Sequence, residues 1–267
     1  MEFHDWEPVY TAILADMGFD RGGDERARDL LADLVSGGVG GRGGGPDGSA
    51  GASDAGGSAS GADGDPSRRG DDRGGPLAPS DLEFTGEAVA VVGAGPSLGD
   101  ELDTVRAADA VVAASDAAAV VREAGLAVDC MVTDLDEAGD VARELTAEGT
   151  PVAVHAHGDN RPALRERVPR LAVERVLPTT QAAPAGPVVN TGGFTDGDRA
   201  AFLADHCGAD ALVFAGWDFD DPDVGPLKAR KLDWAERLLR WLELRRGERF
   251  AVLDGRREGI DESVLPV

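Results

Sequence analysis

Lysine is nearly missing from this 267-residue chain: Lys228 and Lys231 are its only two, and every other basic residue is arginine. Against 26 Lys and Arg stand 50 Asp and Glu, leaving a formal net charge of -24. That field repels polyanions and lacks the clustered cations a phosphate backbone requires, which excludes a nucleic-acid-binding surface. A nucleotide is still allowed, because backbone N–H groups and a bridging cation can hold its phosphates. Aromatic residues are only 5% of the chain. The two cysteines, Cys130 and Cys207, lie far apart and form no CxxC pair, which fits a reducing compartment. No apolar run approaches the roughly 20 residues of a membrane span. The opening MEFHDWEPVY has no basic-then-apolar signal, so a soluble, cytoplasmic protein is expected.

Alanine, glycine and aspartate are abundant instead. Acid excess, arginine in place of lysine and small apolar side chains together match proteins adapted to molar salt. There the Debye length falls to about 3 Å and most self-repulsion among carboxylates disappears. A halophilic cytoplasm is therefore expected; an acidic protein of a GC-rich mesophile is the rival. Hydrophobic residues at 42% suffice for a core.

Three regions follow from the pattern. Residues 1–35 read as a small N-terminal helical segment: Trp6, Val9, Tyr10, Ile13, Leu14 and Met17 recur at helical spacing and stop at Gly18. Ala27, Leu30, Leu31, Leu34 and Val35 form a second stripe. Residues 36–80 turn to Gly, Asp, Ser, Ala and Arg, too little apolar surface to offset ordering entropy, and predict a disordered linker. Residues 81–267 predict an α/β catalytic domain. Strands are expected at Ala88–Val92, Ala110–Ala114, Cys130–Val132, Val152–His155, Val173–Leu177, Val188–Asn190 and Ala211–Ala215, with amphipathic segments between most of them and a long helix over Lys228–Arg246. Unbroken apolar strands alternating with helices imply a doubly wound, mainly parallel, Rossmann-like sheet covered on both faces. Ligands in that architecture bind at the carboxyl ends of the strands.

Those strand ends carry the chemistry. After the first comes Gly93-Ala94-Gly95-Pro96-Ser97-Leu98. Its glycines permit a tight turn, Pro96 suits the first turn of a helix, and free N–H groups with the Ser97 hydroxyl suit an anion. The bland reading is a plain turn, and the dinucleotide fingerprint is broken where Leu98 replaces its third glycine. After the third strand comes Thr133-Asp134-Leu135-Asp136. In an extended chain its two carboxylates project to one side and suit Mg²⁺, which takes one or two carboxylates plus phosphates and water. In so acidic a protein the competing reading is a solvated turn. After the fourth comes His155-Ala156-His157-Gly158-Asp159-Asn160. A zinc hydrolase would need more histidines than His4 and His206 supply, so Asp159 is expected on Mg²⁺ or water, His157 near phosphates, and His155 either packed or supporting the site from behind the groups that touch the ligand. Asn190-Thr191-Gly192-Gly193-Phe194-Thr195-Asp196 reads as a flexible polar turn ahead of a helix and offers hydrogen bonds to a planar ligand. Trp217-Asp218-Phe219 places an acid between two aromatics that could equally be core. Lys228 and Lys231, one helical turn apart, are compact point charges suited to phosphates.

Taken in order from about Glu87 to the end, GAGPSL, VTDLD, HAHGDN, NTGGFTDGDRA and GWDF followed by the K-x-x-K-L helix resemble the archaeal 6-hydroxymethyl-7,8-dihydropterin pyrophosphokinases of the MptE-like type. The two N-terminal helices resemble that family's start, and DLD is similar to the acidic motif of thiamine pyrophosphokinases. The resemblance implies Mg²⁺-dependent transfer of diphosphate from ATP to the hydroxymethyl group of a reduced pterin, releasing AMP, in folate or other pterin biosynthesis. It implies Asp134 and Asp136 on Mg²⁺, with Asp159 or Asp116 as further acidic ligands. Gly93, Gly95, Pro96, Ser97 and Leu98 would hold the nucleotide phosphates, while His157 and Lys228 steady the transferring group. Asn190 and Thr191, with the Trp217–Phe219 rim, would border the pterin. A homo-oligomer is compatible with all of this. Two departures stand out: the insertion at 36–80, and Glu137 where a small residue is expected after DLD.

Three rivals remain at the level of sequence. A nucleotide-sugar-dependent glycosyltransferase of the sialyltransferase-like superfamily shares GxGPSL but leaves DLD and HAHGDN unexplained. A non-catalytic nucleotide-binding module would treat the acids as mere surface. A NAD-dependent dehydrogenase suffers from the broken fingerprint.

Overall fold

A computed structural model describes residues 1–37 and 74–266. Six strands form one all-parallel sheet: β1 (Ala88–Val92), β2 (Ala110–Ala114), β3 (Cys130–Thr133), β4 (Val152–Ala156), β5 (Val176–Thr180) and β6 (Ala211–Ala215), in the order β5-β4-β3-β2-β1-β6. The chain steps outward from β1 to β5, then crosses back to lay β6 on the free side of β1, in register from Ala88↔Ala211 to Val92↔Ala215. The direction of winding reverses between β1 and β6, and such a reversal opens a crevice beyond the strand ends.

Because strand side chains alternate, each strand feeds two cores. Val89 and Val91 enter one, with α1 (Phe3–Met17), α7 (Asp196–His206) and α8 (Pro226–Arg246). Ala90 and Val92 enter the other, with α2 (Arg21–Gly37), α3 (Leu102–Ala107), α4 (Ala117–Glu123), α5 (Gly139–Glu148) and α6 (Arg161–Arg167). Helices thus cover both faces, and the strands read as continuous apolar runs for that reason.

The two N-terminal helices divide between these cores. Trp6, Tyr10 and Ile13 of α1 are fully buried, and the Trp6 ring stacks on Trp241 of α8 at 6.3 Å. Ala27, Leu31 and Val35 of α2 are fully buried against the other face. Gly18 caps α1 in the left-handed conformation, φ 72°, as its place after the apolar stripe predicts. Helix α2 continues through Gly37. Most of the expected linker, residues 38–73, lies outside the described residues.

Two strand expectations need correction. Val173–Arg175 is a 3-10 turn, and β5 starts only at Val176. Val188–Asn190 is not a strand: Val189 makes a local bridge to Thr179, donating to Pro178 O at 3.0 Å and accepting from Thr180 N at 2.9 Å, beside a tight Ala185–Val188 turn. No helix among the described residues is long and apolar enough to cross a membrane.

Candidate active site

Beyond the carboxyl ends of β1–β4 and β6 lies one large cavity of about 760 Å³. Its floor begins at the turn after β1. Gly93 N donates to Ala215 O and Gly95 N to Gly216 O, each at 2.9 Å. The approach is so close that a Cβ on Gly95 would stand 2.7 Å from Gly216 O and 2.3 Å from Asp218 Oδ2, so only glycine fits. A 3-10 turn over Pro96–Asp100 follows, not the α-helix start expected there. The N–H and hydroxyl of Ser97 both donate to Asp218 Oδ2, at 3.0 and 2.8 Å. Gly93 and Gly95 line the cavity, whereas Pro96, Ser97 and Leu98 do not; Leu98 is packed in the core.

The acidic motif has a different backbone from the extended one expected. β3 ends at Thr133, and Leu135 adopts φ 66° with its side chain fully buried. Leu135 N donates to Thr133 Oγ1 at 2.9 Å, and Asp136 N to Asp134 Oδ1 at 3.0 Å. Arg167 of α6 donates to Leu135 O from behind. This tight turn still gathers the two carboxylates: one ligand atom each of Asp134, Asp136 and His157 lies within 4.8 Å of the others.

His157 Nε2 approaches Asp134 Oδ2 at 3.3 Å. Its loop is fastened by Asn160, whose side chain accepts from His157 N and donates to Asp134 O and His155 O. Burial on its own would raise the Asp134 carboxyl; the hydrogen bonds from His157 and the Asp136 N–H outweigh it and bring the group down to about 2. Asp136 moves the other way, raised by burial and then by the charge of Asp134. Asp116, at the end of β2, and Asp159 are exposed residues on the cavity wall, outside the cluster made by Asp134, Asp136 and His157.

The adjoining part of the wall comes from α7 and α8. Asp198, buried, accepts from Thr195 Oγ1 at 2.6 Å and from the Phe194 N–H, closing a capping box on the first turn of α7. That cap directs Asp196 and Arg199 into the cavity. Arg199 Nη1 donates to Asp196 at 3.0 Å and Nη2 to Gln181 Oε1 at 3.0 Å. The Asp196 carboxyl is pushed up to about 6 by burial and then by Asp134, against the pull of Arg199. Lys228 and Lys231 join this wall, with Lys231 shifted downward by burial and by Arg199.

At the far end, the α1–α2 turn closes the cavity with Phe19, Asp20 and Asp24. Asp24, 3% exposed, accepts from Tyr10 Oη at 2.6 Å, Gln181 Nε2 at 2.7 Å and Gly158 N at 2.7 Å. One carboxylate thereby joins both N-terminal helices to the loops after β4 and β5. Trp217 and Phe219 do reach the cavity, although Trp217 Nε1 is also tied to Val91 O at 3.0 Å. Asn190 and Thr191 stand away from it. Asn190 bonds Ala182 O and Gly192 N, and Thr191 lines a separate small void.

Asp24, Gln181 and Arg199 were not singled out by sequence, and Asp196 was read only as the end of a polar turn that could border a planar ligand. The one available signal was in α7, where Asp198 and Arg199 interrupt the apolar side of a helix that continues Ala200-Ala201-Phe202-Leu203. Charges in such a position are buried, and a buried charge calls for a partner.

Comparison with known proteins places this geometry in a family. The description "6-hydroxymethylpterin diphosphokinase MptE-like" matches residues 77–224. Proteins named 6-hydroxymethyl-7,8-dihydropterin pyrophosphokinase are similar along nearly their whole length. That of Methanothermobacter thermautotrophicus is 35% identical over 260 residues, covering 91% of this chain and 96% of the relative. That of Pyrococcus furiosus is 32% identical, covering 91% and 95%. That of Methanocaldococcus jannaschii is 27% identical, covering 91% and 96%.

Proposed function

The chain belongs to the MptE-like family of 6-hydroxymethylpterin diphosphokinases, and we propose on that footing that it transfers a diphosphate group from ATP to the hydroxymethyl oxygen of a reduced pterin. The new bond joins that oxygen to the β-phosphorus; the bond broken is from the β-phosphorus to the oxygen bridging it to the α-phosphorus. AMP leaves with that oxygen, and the hydroxyl proton passes to solvent or to a base in the cavity. The observation that carries the reading is one cavity of about 760 Å³ that gathers the cluster of Asp134, Asp136 and His157 together with Arg199, Lys228 and Lys231. Its size is in the upper part of the ~300–1,000 Å³ range of ligand sites, which suits two substrates.

The donor set fits a magnesium ion. Two carboxylates that meet at one point, one of them ionised far below neutrality, supply hard oxygen ligands and leave positions for phosphate oxygens. Asp134 and Asp136 would hold it, and bound there it would neutralise charge on the phosphate chain. His157 acts on Asp134 as a hydrogen-bond partner, since imidazole is a poor ligand for so hard an ion. Asp116 and Asp159 face the same space and would act on ordered water.

The chain's own contribution is positioning and charge. The Gly93–Gly95 turn brings its backbone to the cavity with only the Ala94 methyl as a side chain, which lets a phosphate approach closely. Arg199 is fixed at both terminal nitrogens and offers a rigid fork to phosphoryl oxygens. Lys228 and Lys231 add point charges from α8. Phosphoryl-type transfer needs alignment and charge neutralisation more than covalent help, and these groups provide both. The Trp217–Phe219 rim and the Phe19 end of the cavity are the two apolar surfaces available to flat rings.

The test is to incubate the full chain in molar KCl with ATP, Mg²⁺ and reduced 6-hydroxymethylpterin, and to follow AMP. AMP that appears only when pterin and metal are both present is the expected result. ADP would mean transfer of a single phosphoryl group. Nucleotide release from a CMP-sugar without pterin would instead point to the glycosyltransferase.

A further inference from the structure

Behind Arg199, between β3–β5 and α7, lies a second and much smaller void of about 10 Å³, walled by His155, Thr179, Thr180, Thr191, Gly192 and Arg199 among others. That is the space of one water molecule. Among the described residues, three buried side-chain polar atoms lack a hydrogen-bond partner, and two of them, His155 Nε2 and Arg199 Nε, belong to residues lining this void.

The contacts around the histidine favour one assignment of hydrogens. Thr179 Oγ1 donates its single hydrogen to Val154 O at 3.2 Å. It can therefore only accept from His155 Nδ1, 3.1 Å away. With the ring hydrogen on Nδ1 both contacts of Thr179 are satisfied and Nε2 presents a lone pair; the Gln181 side chain, also beside this ring, is the competing partner. Arg199 Nε always carries a hydrogen. A single small group serves both atoms only if it accepts from one and donates to the other. Chloride could accept from Arg199 but would meet the lone pair of Nε2, and ammonium could only donate. Water does both.

We propose that one buried water bridges Arg199 Nε–H to His155 Nε2, and that His155 is through it a positioning residue for the Arg199 guanidinium. Arg199 has five N–H hydrogens. Asp196 and Gln181 engage one each, and the water takes the Nε–H. Two remain for an anion, matching a bidentate grip on a phosphoryl group. The water itself stands on the geometry of the void; the positioning role rests on the phosphate-binding reading of Arg199 given above.

A high-resolution crystal structure of the full chain without substrates tests the water. The expected result is one sharp peak within hydrogen-bond distance of both nitrogens, lost in His155→Phe, whose ring fills similar volume without an acceptor. Two outcomes would overturn it: a peak with the anomalous signal of chloride, or no peak and the Gln181 amide closed directly onto Nε2. Kinetics test the role. With melting temperature as a check on folding, His155→Phe should lower kcat about tenfold at nearly unchanged KM for the pterin, and His155→Gln, which keeps an acceptor, should restore kcat to within about threefold of wild type. Unchanged kcat in His155→Phe, or equal losses in both variants, would refute the positioning role. An inactive wild-type enzyme would refute the transfer reaction instead, while the density would still decide the water.

Discussion

At Leu135 the backbone enters the left-handed region, where a residue with a side chain is strained by about 1–2 kcal/mol. Full burial of the leucine and the two bonds from Leu135 N and Asp136 N hold it there. The strain has a use, because the turn brings Asp134 and Asp136 together at the end of β3. If these groups hold the metal, Asp134→Asn and Asp136→Asn should each cut AMP release by at least about a hundredfold. Circular dichroism should be unchanged, since the turn hydrogen bonds need only an oxygen acceptor. Full turnover in both variants would remove the metal assignment. The pair was legible as D-x-D; the turn was not, because nothing in Thr-Asp-Leu-Asp announces a left-handed leucine that tertiary packing imposes. Asp196 was legible as part of a polar turn, but not as a buried neighbour of the acidic pair. It is one of 50 acids in an acidic chain, and only its place on α7, beside Asp134 and Arg199, separates it from surface charge.

Among the elements, α8 shows how a helix carrying site residues is held. Lys228 and Lys231 sit near its start, and Glu243, with a side chain 1% exposed, anchors its other end. Glu243 accepts from Phe250 N at 2.7 Å and pairs with Arg240 at 2.6 Å and Arg257 at 2.5 Å. Burial would raise this carboxyl, but the hydrogen bonds from Arg257 and the Phe250 N–H prevail and bring it from 4.5 to about 2. A carboxyl depressed by folding stabilises the native state above its unfolded pKa, and that contribution fades as pH falls toward the folded one. Between about pH 4.5 and pH 2, wild type should therefore lose about 3 kcal/mol from this group. Glu243→Gln should be destabilised by a similar amount at pH 7 and lack that part of the acid slope, as read by urea unfolding across pH. The α1–α2 pair offers a parallel case. Asp24→Ala should cost about 2–4 kcal/mol, since two buried donors and the part-buried Gly158 N–H lose their acceptor, and should raise KM as Gln181 loosens beside Arg199. Existence of these helices was legible from apolar spacing. Their division between two cores was not, because a stripe at helical period does not state which face of a sheet it will meet.

For the whole molecule the dominant quantity is a net charge of -24. Arginines paired at short range, such as Arg246 with Asp205 at 2.6 Å, neutralise part of it locally. The remaining exposed carboxylates repel one another over a Debye length of about 10 Å at 0.1 M salt, and about 3 Å at 1 M. Compactness should therefore improve with salt, and the melting temperature should rise by at least about 5 °C between roughly 0.1 M and 2 M KCl. A flat profile would mean that the carboxylates are already far enough apart, as in an acidic protein with no need of salt. Screening acts on exposed charges and hardly on buried ones. The destabilisation caused by Glu243→Gln should for that reason be nearly the same at both salt concentrations, even as the wild-type melting point moves. If salt erased the Glu243 effect as well, the clasp on α8 would have to be wet rather than buried. The same contrast bears on the active site: Arg199, at 6% side-chain exposure, should keep its grip on phosphate in molar salt, whereas the exposed Lys228 should lose most of its pull. Lys228→Ala should then raise KM for ATP several-fold at low salt and have little effect at high salt, while Arg199→Ala should be damaging at both.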